Sequence, residues 1–174
     1  MKTHVLFASM AVSVLIWGQS VMASPGQAQQ PDVADQHSKG VDARGDHAMG
    51  FSHENYTHHF RLLSDGGVIE VSAKDPNDTA TRDQIRMHLW HIAKMFSEGD
   101  FQAPMFIHDT VPPGVPGMQT KRDAIIYKFE ATPEGGRVRI ASADSVAIKA
   151  IHKFLAFQID DHRTGDPKTV SSQH

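Results

Sequence analysis

One stretch of this chain occurs twice, and that repeat constrains the fold more than any other feature. "FRLLSDGGVIEVSAKD" (60–75) aligns without a gap on "FEATPEGGRVRIASAD" (129–144), at a constant offset of 69. Phe60 falls on Phe129, Gly66-Gly67 on Gly135-Gly136, Ile69 on Val138, Val71 on Ile140 and Asp75 on Asp144. Alternating apolar residues on either side of a glycine doublet predict two strands joined by a tight turn. Each copy runs on into a helical pattern, "TATRDQIRMHLWHIAKMF" and "DSVAIKAIHKFLAFQI". Asp78 or Thr79 is expected to cap the first helix, and Asp144 or Ser145 the second. The expectation is an α+β fold of two ββα units, forming a four-stranded antiparallel sheet with two helices on one face.

Strand alternation assigns the two faces of that sheet. Phe60, Leu62, Ile69, Val71, Phe129, Val138 and Ile140 should face the helices. His59, Arg61, Glu70, Lys128, Glu130, Arg137 and Arg139 should line the other side, as a solvated surface or a partner or homodimer surface. The linker between the repeats holds "PMFIH", read as a short strand or buried segment. It also holds "PPGVPG", read as a stiff extended loop because proline fixes φ and removes donors.

The first helix, seen down its axis at about 100° per residue, has two stripes. Ile85, Leu89, Ile92 and Phe96 form the core stripe. Gln84, His88, His91 and Met95 form a second, about 100° away. His58 shares strand parity with Phe60, so it should point toward the helices and approach His88 and His91. His53, Met49 and His47 on the preceding segment, and His108 or Met105 on the linker, could close over the same spot.

The chain has no cysteine, so disulfides and thiolate metal sites are excluded. It has 12 His and 8 Met among 174 residues. Neutral imidazole and thioether suit copper, with Met selecting Cu(I) and His also accepting Cu(II) or zinc. The net charge of −3, without a Lys/Arg cluster, argues against nucleic-acid binding. No H-E-x-x-H, G-x-S-x-G, phosphate loop or dinucleotide fingerprint is present.

The ends carry their own signals. Residues 1–23 combine a basic start, an apolar run from Val5 to Trp17 and a small-residue site before Ser24. They read as a secretory signal peptide, with no membrane association after its removal. Residues 24–46, rich in Gln, Pro, Gly and Asp, read as a disordered leader, 47–163 as a single α+β domain and 164–174 as a flexible tail.

From Met49 to Pro167 the chain resembles a family of small exported bacterial proteins. The resemblance rests on "MGFSHENYTHHF", "DGGVIEV", "DTATRDQIRMHLWHIAKMF", "PMFIHDTVPPGVPGM", "GGRVRI" and "FQIDDHRTGDP". Some members of that family carry the name aspartate carbamoyltransferase. The S-T-R-T-R phosphate loop of carbamoyltransferases does not occur in this sequence, so the resemblance implies a family and no mechanism.

The sequence therefore leads to a periplasmic or secreted metal-binding protein for carriage or buffering, copper first and zinc second. The expected ligands are His58, His88 and His91, with His53, His108 and Met95 as secondary candidates. A non-catalytic interaction module using the polar sheet face is the alternative. A small metal-dependent enzyme with His108 near an open coordination position is the second.

Overall fold

The computed structural model describes residues 33–50 and 52–171. Four strands, β1 (Tyr56–Leu63), β2 (Gly66–Ala73), β3 (Ile125–Ala131) and β4 (Gly135–Ser142), make one antiparallel sheet in the order β1-β2-β4-β3. Two long helices, α2 (Thr79–Ser97) and α5 (Ser145–Asp161), pack on one face. This is the expected α+β plan. The helices exchange places: α5 lies under β1 and β2 of the first unit, and α2 under β3 and β4 of the second.

The repeated glycines explain why the two hairpins look alike. β2 and β4 are the central pair, and their registers place Gly67 opposite Ile140 and Gly135 opposite Ser72. A Cβ at Gly67 would strike Arg61 O and the Leu155 side chain of α5. A Cβ at Gly135 would strike Val71 O and press on Ile85 of α2. Each doublet is thus the place where a neighbouring strand or an overlying helix comes closest.

The core follows the alternation. Phe60, Leu62, Ile69, Val71, Val138 and Ile140 are buried against Ile85, Leu89, Ile92 and Phe96 of α2 and Ile151, Phe154, Leu155 and Ile159 of α5. Truncating one such Leu or Ile to Ala would cost about 2–5 kcal/mol. Asp78 caps α2 by accepting from Thr81 N at 3.0 Å. Asp144 caps α5 by accepting from Val146 N at 2.7 Å and Ala147 N at 3.2 Å.

Three expectations change. The signal peptide lies outside the described residues, but much of the expected leader is helix α1 (Val33–Met49). Val41 is 1 % exposed, Gly45 is buried, and Arg44 donates to Ile107 O at 2.7 Å. Its composition is that of a mobile segment, and a few tertiary contacts hold it regardless. The linker is not a strand and an extended loop but two short helices, α3 (Gln102–His108) and α4 (Val115–Thr120). Pro116 sits in the first turn of α4, where proline's missing N–H costs nothing. The expected tail docks along β1: Asp166 accepts from Phe60 N at 2.8 Å, and Ser171 N donates to Leu62 O at 2.8 Å.

Candidate functional site

Under β1 and β2, between α2 and α5, the apolar layers do not close. They leave a cavity of about 60 Å³. That is room for a few waters or a small ligand. Leu89, Ile92, Phe96 and Phe154 form its apolar floor. Gly45 and Met49 of α1, with Pro104 and Ile107 of α3, close over it. Four histidines line the walls: His58, His88, His108 and His162.

Each reaches the cavity by a different local rule. His58 sits two residues before Phe60 on the inward face of β1, and its ring stacks on Phe60 with centroids 5.6 Å apart. His88 is on α2, at the edge of the core stripe. His108 ends α3, where Asp109 turns the chain left-handed with φ 52°. His162 is the C-cap of α5. The His162 ring lies 5.1 Å from that of His58 and 4.9 Å from that of His108, centroid to centroid.

Their environments separate them into two kinds. His108 is held at both nitrogens, Nδ1 2.5 Å from Asp161 Oδ2 and Nε2 3.0 Å from Gln158 Oε1. Asp161 also receives His37 Nε2 of α1 at 2.9 Å. Burial pushes the Asp161 carboxyl up, but hydrogen bonds from His108 and His37 outweigh it and the net shift is downward. His58 and His162 make ring contacts, and neither their side chains nor that of His88 has a hydrogen bond among the described residues. Burial, followed by the imidazoles of His162 and His88, holds His58 well below the usual histidine value. Burial and then His91 lower His88 to about 4. Burial and then His108 lower His162 to about 4, against the pull of Asp161. At neutral pH these three rings are uncharged, and each has a lone pair to offer.

A second, polar cleft adjoins the cavity and shares Gly45, Tyr56, His58 and His162 with it. Asp42, His53, His59, Lys74 and Arg163 line its other sides. His58 and His162 therefore stand between an apolar interior and a charged opening.

Comparison with known proteins returns nothing: no family model, no curated protein and no solved structure matches this chain.

Of the six candidate ligands, His58, His88 and His108 line the cavity. His91, about 60° further round α2 than His88, is exposed and lies edge-on to Trp90, centroids 5.0 Å apart. Met95 shares the His88 flank but is two turns on, where its carbonyl accepts from Asp100 N at 2.9 Å. His53 is in the outer cleft, with Nδ1 3.0 Å from Asp46 Oδ2. His162 and Gln158 were missed, whereas Met49, expected to close over this spot, lines the cavity. A signal for both was present: Ile151, Leu155, Gln158 and His162 share one helical stripe, so a polar pair continues an apolar face. Among the described residues no three His, Asp or Glu side chains form a group that could hold a metal ion.

Proposed function

We propose that this is a periplasmic or secreted copper-binding protein that carries or buffers the ion, with Cu(I) as its preferred form. The reading rests on one observation: the unpartnered, uncharged rings of His58 and His162 lie 5.1 Å apart where the cavity meets the cleft. Two imidazoles bound to one ion at about 2 Å per bond and near the tetrahedral angle have their ring centres about 5 Å apart. His88 and the thioether of Met49 line the same cavity and are the natural further ligands. Cu(I) accepts the soft thioether of Met beside imidazole, whereas zinc is held by His, Cys and carboxylate ligands. Zinc is therefore second. His108 is already engaged by Asp161 and Gln158, which argues against an open catalytic position at that residue. The export signal read from residues 1–23 and the resemblance to small exported bacterial proteins support the proposed location.

The test is an anaerobic Cu(I) titration against a chromophoric competitor, repeated with zinc. One equivalent of Cu(I) should bind, and His58→Ala or His162→Ala should abolish it while His91→Ala does not. Cu(I) affinity no greater than that of free histidine would overturn the reading.

A further inference from the structure

The two edges of the sheet are treated differently. The β1 edge is closed by the C-terminal segment, through Asp166 on Phe60 N and Ser171 on Leu62 O. The outer edge of β3 has no such partner among the described residues: its only ladder is with β4. An open edge of seven residues is a template for another strand. β3 (IIYKFEA) contains no proline, and Ile126 on it is 69 % exposed.

Beside this edge lies an apolar surface. Arg86 of α2 reaches the β3–β4 turn, donating to Thr132 O at 2.6 Å and Gly135 O at 3.0 Å, so that flank of α2 faces the β3 side. Trp90 follows Arg86 by one turn on this flank and is 51 % exposed, with Met87, 60 % exposed, three residues from it. An exposed Trp beside an open strand is the composition of a contact surface.

We propose that a second copy of this chain pairs with β3 across a two-fold axis, making a continuous eight-stranded sheet with Trp90 of each copy packed beneath it. The strand's charges select the partner and the register. Antiparallel self-pairing keeps side-chain faces matched only if each residue meets one of its own parity. Centring the pair on Lys128 sets Lys128 against Lys128. Centring it on Tyr127 sets Lys128 against Ile126. Centring it on Phe129 sets Lys128 of each copy opposite Glu130 of the other, twice, with Phe129 meeting Phe129 on the helix side. Only the last is self-complementary in charge, and opposite-charge pairs across strands stabilise while like pairs oppose association. Lys128 and Glu130 already lie 3.0 Å apart within one chain, so the partner extends an existing ion network. The contact runs along the β3 edge and takes only Lys128 and Glu130 from the polar sheet face considered from the sequence, where Arg61 and Arg139 are occupied by Glu70 and Asp65.

Sedimentation of the purified chain over a wide concentration range, with a metal chelator present, tests this independently of copper. The wild type should reach twice the chain mass, and Trp90→Ala should weaken the dimer about ten-fold or more. Lys128→Glu and Glu130→Lys should each be monomeric alone. Mixed in equal amounts they should form a heterodimer. The carboxylate introduced in one variant then meets the ammonium introduced in the other, and the native Glu130 of the first meets the native Lys128 of the second. Circular dichroism establishes that each variant is folded. A wild type monomeric at the highest concentration, a dimer that survives all three substitutions, or a mixture no more associated than its components would each overturn the proposal.

Discussion

Two aromatic contacts occupy matching places in the two units, and they differ in chemistry. The strand offset of 69 maps His58 onto Tyr127, and the helix caps, Asp78 and Asp144, map Phe96 onto His162. Because each helix lies under the other unit's strands, Tyr127 meets Phe96 at 5.9 Å and His58 meets His162 at 5.1 Å. Ile92 maps onto Gln158 and Phe154 onto His88 in the same way. One copy of the contact is closed with apolar rings, burial holding the Tyr127 phenol above its usual pKa. The other carries imidazoles and an amide, opens into a cavity and meets a polar cleft. The repeat therefore supplies the scaffold twice, and the candidate site exists once, where polar residues replace the packing set.

Making the two contacts alike is the strongest test of that difference. His58→Tyr combined with His162→Phe should leave a folded protein with Cu(I) affinity reduced by about 1,000-fold or more, close to 4 kcal/mol, as read by competitor titration. Retained affinity would move the ion elsewhere.

Acid should distinguish the contacts next. The folded pKa of His162, about 4, lies below the ordinary 6.5, so the unfolded chain takes up the proton first. Its contribution to stability is complete above about pH 6.5 and is lost as the pH falls toward about 4, by up to about 3 kcal/mol. His88 behaves likewise, and His58 has the same sign. Urea unfolding at several pH values should show this slope in the wild type and a shallower one in the double variant. Equal slopes would mean that these rings are not buried uncharged.

A smaller effect is expected at Asp161, which ties His108 to His37 and so links α5, α3 and α1. Asp161→Asn should cost about 2 kcal/mol and raise hydrogen exchange in α1 before it does so in the sheet. Uniform loosening would show that α1 is held by other contacts. Smallest of all, His91→Ala should change stability by less than about 0.5 kcal/mol and leave copper binding unaltered, since the ring is exposed.

The histidine that needed a long-range partner was the one left out. His58 and His88 were legible because strand parity and helix period are local rules. His162 lies beyond the last regular turn of α5, and its meaning comes from standing against β1, far earlier in the chain. His91 and Met95 share the flank of His88 in projection. A cavity has depth as well as direction, however, and only His88 is at the right level on the right side.

What the sequence alone determined is the repeated ββα plan, the two faces of the sheet, the core stripe of α2 and the absence of thiol chemistry. Those follow from periods of two and 3.6 residues and from composition, which act over a few neighbours. Tertiary structure decided the rest: that α1 folds over the cavity, that the C-terminal segment closes one sheet edge and leaves the other open, and that His162 joins His58. Each depends on contacts between distant segments, whose free energy comes from surfaces that exist only once the sheet and its helices have assembled.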